Sequence, residues 1–168
     1  NGGLITKKDL AACAPTISPP LVGSYRGIEV ATNQLPGGGP MIVQMLNILE
    51  SFDLSSMGHN SAAYIATVAE AMKLATVDKD QKLGDPNFVD VPLDDILSKA
   101  YARSLAERIR AGDKAVVARV NNGTAESKDT THLVVADSDR NIVNLTHSLG
   151  SSSGVVTEGL GFMYNNCM

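Results

Sequence analysis

The segment SKDTTHLVVADSDRNIVNLTHSLGSSSG, residues 127–154, holds the densest run of hydroxyl and imidazole side chains in the chain. At its head stand Thr130, Thr131 and His132. A threonine hydroxyl is a poor nucleophile until a base accepts its proton, so a threonine here is either a strand residue or a latent nucleophile. The pattern over 130–136 and 142–148 is β-rich, and Asp137 to Asn141 reads as a five-residue loop between two antiparallel strands. Ala136 then opposes Ile142, and the register carries back to Thr130 opposite Ser148. Strand side chains alternate between faces, so these two hydroxyls share a face within reach of each other, while Leu133, Val135, Val143 and Leu145 occupy the other. By itself this pair fits a cross-strand Thr–Ser contact as well as a nucleophile with its partner.

The other chemistry-bearing residues are less organised. Gly37, Gly38 and Gly39 precede a helix start, where free N–H groups and the helix dipole suit a phosphate. The run lacks the GK[ST] ending of a P-loop and the spacing of a dinucleotide fingerprint, and reads better as a turn and cap. His59, His132 and His147 are too scattered for a ligand set. No G-x-S-x-G elbow surrounds Ser151 to Ser153, which read as a turn. Cys13 and Cys167 are too few for a disulfide framework and leave the compartment undetermined. Asn122 and Asn144 match the short glycosylation pattern, which arises too often by chance to use. No CxxC or HxxxH spacing suggests a metal site.

The elements that must position these residues are mostly helical before residue 112 and mostly β after 129. The expected class is therefore α+β rather than alternating β-α-β. Thr6 with Asp9 forms a capping box for a short helix, which the prolines of APTISPP end. SYRGIEVAT suits a strand, with Gly27 as a bulge or turn. A helix starts with Pro40 at its first position, and Met41, Met45, Leu49 and Phe52 mark its apolar spacing. A longer helix follows, capped by Asn60 or Ser61 and stopped by Gly84. After the connector DPNFVDVP comes LDDILSKAYARSLAERIRAG, a helix broken near Ser98 and ended by Gly112. VARVNNGTAESKD, from residue 117, loses periodicity and reads as exposed.

In bulk the chain has 168 residues, 43% hydrophobic and 19% charged, the proportions of a globular domain or part of one. A net charge of −4 without a lysine/arginine cluster argues against a nucleic-acid partner. No apolar run approaches the roughly 18 residues of a membrane span. The opening NGGLITKKDL and the closing YNNCM do not read as domain ends, so a segment of a longer polypeptide is expected.

The sequence resembles the gamma-glutamyltranspeptidases and their cephalosporin-acylase-like relatives. The likeness rests on NGGLITKKDL, YRGIEV, PGGGPMIVQMLNILESFDL, AEAMKLATVDKDQKLGDPNFVDVP, LSKAYA, DTTHLVVAD, SSGVVTEGLGF and NNCM, in the family's order along nearly the whole chain. It implies part of an N-terminal-nucleophile hydrolase, a four-layer αββα sandwich made as one precursor that cuts itself before a threonine. By motif the scissile bond is Asp129–Thr130. Residues 1–129 would be the C-terminal part of the large subunit, and 130–168 the start of the small subunit.

The implied activity is transfer or hydrolysis of gamma-glutamyl amides such as glutathione through an acyl ester on Thr130, and the resemblance implies no metal or organic cofactor. A small-molecule substrate, water or an amine acceptor, and the remaining parts of both subunits would be the partners. Ser148 stands where the family has a hydroxyl beside the nucleophile. Gly150 stands where typical members have an asparagine touching the substrate amino group, and Cys167 where Gln or Glu does the same. These two departures weaken glutamyl specificity and favour an acylase-like preference for a glutaryl or other acyl group. The arginine for the substrate α-carboxylate would lie before Asn1, and the oxyanion glycines after Met168. Export to the periplasm or beyond is implied if the complete protein carries a signal peptide. The rival class is a catalytically silent α+β module in which Thr130 is only a strand residue.

Overall fold

The computed structural model describes residues 6–14, 17–118, 130–148, 152–156, 158–159 and 163–165. They fall into two compact units, Asn1–Arg119 and Val120–Met168. The sequence reading of 119–129 as an exposed stretch lies outside the described residues.

In the first unit α1 (Lys7–Ala12) begins at the expected capping box. The Thr6 N–H donates to Asp9 Oδ2 at 2.7 Å, and the Asp9 N–H donates back to Thr6 Oγ1 at 3.3 Å. SYRGIEVAT is not one strand but parts of two. β1 (Leu21–Tyr25) and β2 (Ile28–Thr32) pair antiparallel about a two-residue turn, Arg26 at φ 50 and Gly27 at φ 80. Positive φ at both central residues is the geometry that matches the twist of a tight hairpin, and Gly27 adopts it without a Cβ penalty.

Helix α2 (Gly39–Leu49) contacts β1, β2, α3 (Ala62–Lys82), α4 (Leu93–Leu97) and α5 (Lys99–Arg110). It starts at Gly39, one residue before the proline expected to open it. Its buried residues are Gly39, Pro40, Val43, Gln44, Asn47 and Ile48, one position round from the expected stripe. Met41, Met45 and Leu49 are half-buried, and Phe52 is buried in the turn beyond the helix. A helix contacted by several elements buries more than one stripe, which apolar spacing alone does not reveal.

The core joins Ile48 and Phe52 to Ala71 and Leu74 of α3 and to Ala102, Leu105 and Ala106 of α5. Each large apolar side chain fully buried here contributes roughly 1.5–3 kcal/mol of transfer free energy. Ser61 caps α3 by accepting from the Tyr64 N–H at 3.1 Å. Ser98, in extended conformation, ends α4 and caps α5 by accepting from Tyr101 N–H at 3.1 Å. The break read at Ser98 is thus a helix C-cap and the next N-cap in one residue.

Polar groups are buried against α2 as well. Gln44 donates through Nε2 to Asp78 Oδ2 at 2.5 Å. Asp78 also accepts from the Tyr101 hydroxyl, at 2.9 Å to Oδ2, and pairs with Lys82 at 2.6 Å. This pairing, then the Tyr101 hydroxyl, raises the Lys82 pKa above its ordinary value. At the hairpin side, Glu50 accepts from the Arg26 N–H and from Lys99 Nζ, both at 2.6 Å, while Lys99 also reaches the Ser24 carbonyl at 2.7 Å. The Lys99 ammonium, followed by the Arg26 N–H, holds the Glu50 carboxyl below the usual range.

In the second unit β3 (Thr130–Ala136) pairs antiparallel with β4 (Ile142–Ser148), and β5 (Ser152–Val156) pairs with β6 (Met163–Asn165) with a register shift. Ser152 and Ser153 therefore begin a strand, where the sequence suggests a turn. The class is α+β. Among the described residues no helix is long and apolar enough to cross a membrane.

Candidate active site

The β3–β4 ribbon has the register that the alternation predicts. Thr130 faces Ser148, Thr131 faces His147, His132 faces Thr146, and the pairing runs on to Ala136 opposite Ile142. A loop of Asp137 to Asn141 closes the far end. Asp137 Oδ1 accepts from the Asp139 and Asn141 N–H groups at 2.9 Å each, and Oδ2 accepts from Asn141 Nδ2 at 2.8 Å. The Asn141 side chain, and after it the backbone N–H groups, lowers the Asp137 pKa. Arg140 takes the left-handed conformation at φ 67 that completes the loop. One carboxylate clamping three N–H donors fixes where β4 begins, and so fixes what stands opposite Thr130 seven rungs away.

At the open end the Thr130 and Ser148 hydroxyls lie 2.9 Å apart and hydrogen-bond; either can donate. On the same face, one side-chain repeat further in, His132 Nδ1 and Thr146 Oγ1 are also 2.9 Å apart. The sequence reading sets His132 aside as too scattered for a ligand set and leaves this second pair unremarked. Its signal was present all the same, since the register that opposes Thr130 to Ser148 also opposes His132 to Thr146. All four residues are exposed. Two hydroxyls in contact can pass a proton between them or hold one oxygen in a fixed direction. Neither is basic enough to activate the other, so a nucleophilic role demands a base from elsewhere.

Asp129, Gly150 and Cys167 lie outside the described residues. The remaining candidates do not gather into a site. Among the described residues no cluster of three His, Cys, Asp or Glu could hold a metal ion, and His59 instead sets its ring 6.1 Å from that of Tyr64. Gly37 and Gly39 are closely packed, while Gly38 faces open space: a Cβ on Gly39 would fall 1.9 Å from the Asn33 carbonyl oxygen. That contact accounts for Gly39 without a phosphate. A cavity of about 490 Å³ between Gln34, Leu35, Phe88 and Leu93 belongs to the first unit and includes none of the hydroxyl residues.

The gamma-glutamyltranspeptidase family model matches residues 1–168. The chain is 42% identical over 174 residues to the glutathione hydrolase proenzyme of Escherichia coli, with all of this chain and 30% of that protein covered. It is 40% identical, with the same coverage, to the Acylase ACY 1 proenzyme of a Pseudomonas species. The chain thus spans about a third of the length of these relatives. Among solved structures, a cephalosporin acylase from Bacillus halodurans matches with a TM-score of 0.77 at 29% identity, over 98% of this chain and 29% of that one. The gamma-glutamyltranspeptidase of Helicobacter pylori matches with a TM-score of 0.61 at 41% identity, over 65% of this chain and 32% of that one. The α+β architecture is that of these N-terminal-nucleophile hydrolases. By family model and by relatives alike, the chain belongs to the gamma-glutamyltranspeptidase family.

Proposed function

We propose that the complete protein transfers or hydrolyses gamma-glutamyl groups through an acyl ester on Thr130, after cutting itself between Asp129 and Thr130. The observation that carries this reading is the 2.9 Å contact of Thr130 Oγ1 with Ser148 Oγ at the start of β3, in a chain of this family. In the precursor the Thr130 nitrogen is an amide and cannot accept a proton. Attack of Thr130 Oγ on the Asp129 carbonyl carbon breaks that C–N bond, forms an ester and gives the nitrogen the hydroxyl's proton. Water then hydrolyses the ester, leaving the Asp129 carboxylate and a Thr130 with both hydroxyl and free α-amine.

An α-amine has an ordinary pKa near 8, so a useful fraction is neutral at physiological pH. Nucleophile and base now belong to one residue. The amine takes the hydroxyl proton as Oγ bonds to the γ-carbonyl carbon, and delivers it to the departing amine as the C–N bond breaks. Water or an acceptor amine then cleaves the acyl ester by the reverse sequence. Ser148 directs Thr130 Oγ throughout, which keeps the nucleophile aligned between turnovers.

The test is the complete protein incubated as precursor. A new N-terminus reading Thr-Thr-His is expected, together with loss of both cleavage and turnover in Thr130→Ala. An active Thr130→Ala enzyme would overturn the proposal and favour the silent-module reading of this segment.

A second reading, an amidase with glutaryl or other acyl preference, is favoured by one observation. Gly150 and Cys167 put no amide or carboxylate where the family's contacts to a substrate amino group are expected. Losing such a hydrogen bond costs about 1–3 kcal/mol when its partner is left unsatisfied. Comparing γ-glutamyl and glutaryl anilides on the mature enzyme decides between them, and a clear glutamyl preference rejects the amidase.

A further inference from the structure

We propose that His132 and Thr146 form a positioning pair for Thr130, an inference that rests on the nucleophile reading above. Thr130 and Ser148 occupy the last rung among the described residues, and after the proposed cleavage Thr130 begins its chain. Strand ends fray at little cost, because a terminal pair has neighbours on one side only. Within this 168-residue chain burial does not hold this end, since every side chain of β3 and β4 is exposed. At the other end the Asp137 loop fixes the pairing. On the face that carries Thr130, the rungs nearest that loop are Ala136–Ile142 and Val134–Asn144, neither of which joins two complementary hydrogen-bonding side chains. The next is His132–Thr146, bonded at 2.9 Å, and after it Thr130–Ser148.

The two bonded rungs are consecutive on that face, roughly 7 Å apart along the strand. The inner one ties the strands across the step where the outer one would otherwise open. His132 Nδ1 and Thr146 Oγ1 accordingly act through Thr130, holding its hydroxyl against Ser148 in a reactive direction; they need not touch the substrate. The geometry needs a hydrogen-bonding atom in the δ position of residue 132 and a hydroxyl at 146. His132→Asn preserves the first and Thr146→Ser the second. His132→Phe and Thr146→Val keep the bulk and remove the bond.

The experiment uses the full-length enzyme, with rates normalised to the amount of Thr-Thr-His N-terminus formed. His132→Phe and Thr146→Val should each lower kcat about five- to tenfold, the rate equivalent of one neutral hydrogen bond, with KM held within about twofold. The double variant should be no slower than either single one, because both remove the same bond. His132→Asn and Thr146→Ser should recover most of the rate. Wild-type kcat in both single variants, multiplying losses in the double variant, or an Asn variant as slow as Phe would overturn the pair.

Precursor cleavage supplies a second readout, since the same oxygen attacks Asp129. It should slow in folded precursors of both variants, and cleavage at the wild-type rate in both rejects the inference. Thr130→Ala separates the levels. If it is inactive while His132→Phe is normal, only the positioning pair fails; if it is active, the nucleophile reading fails with it.

Discussion

The two units hold their geometry by different means. In Asn1–Arg119 a central helix is packed by its neighbours, and Ile48, Ala71, Ala102 and Ala106 are fully buried. In the β3–β4 ribbon no side chain is buried, and Leu133, Val135, Val143 and Leu145 expose more than half of their surface. Packing specifies the first unit; register, a turn and a few side-chain bonds specify the ribbon. Within this chain the position of Thr130 rests on strand pairing, with no core beneath it. It requires that the pairing cannot slip, and a one-residue slip would turn Thr130 to the other face.

The largest expected effect falls on the ribbon and on chemistry alone. Thr130→Ala should abolish turnover of the complete enzyme while leaving the circular dichroism of the precursor unchanged. A large loss of structure would mean that the residue serves folding.

Next comes the core. Ile48→Ala should destabilise the 168-residue chain by about 2–5 kcal/mol, read from its denaturant midpoint. Leu133→Ala, at an exposed strand position, should change it by less than about 0.5 kcal/mol. If Leu133→Ala proves costly in the complete enzyme, the ribbon is covered there and the contrast belongs to this chain alone.

Asp78→Ala should cost about 2 kcal/mol, less than a fully buried pair would, because Lys82 keeps 37% of its side-chain surface exposed. The cost comes from leaving Gln44 and Tyr101 without their acceptor, and calorimetry of the same chain measures it.

The pH dependence divides along the same line, with a smaller effect. Asp137 and Glu50 both have lowered folded-state pKa values. Their stabilisation is therefore complete above the unfolded carboxylate range and is lost as pH falls through the folded value. Amide exchange in acid should open the Asp139–Asn141 turn first, with the first-unit core still protected. Asp137→Ala should remove the acid sensitivity of that turn and leave that of Arg26 and Lys99 intact. Simultaneous loss of turn and core would show that the two regions unfold as one.

Much of the fold was legible because its signals are local. Thr6 and Asp9 sit at capping-box spacing, Ser98 offers a hydroxyl between two helical runs, and Asp137 to Asn141 is a loop bounded by alternating segments. Each is decided within a few residues by hydrogen bonds that the backbone needs in any context. The pairing of Thr130 with Ser148 was legible for the same reason, once the loop length was known. What escaped was non-local. The buried face of α2 depends on which elements approach it, and the apolar spacing of Met41, Met45 and Leu49 points one residue away from Gln44 and Ile48. Gln44 reads as a surface residue until Asp78, a helix away, is placed against it.

By itself, then, the sequence determined the caps, the ribbon register and the hydroxyl pair, because each is a short-range consequence of backbone geometry. Only the tertiary structure decided which side of α2 is buried, why Gly39 has no room for a side chain, and which rotamer joins His132 to Thr146 on a rung the register already opposes. Those outcomes depend on distances between atoms far apart in the chain or on the rotamer finally adopted, and residue spacing encodes neither.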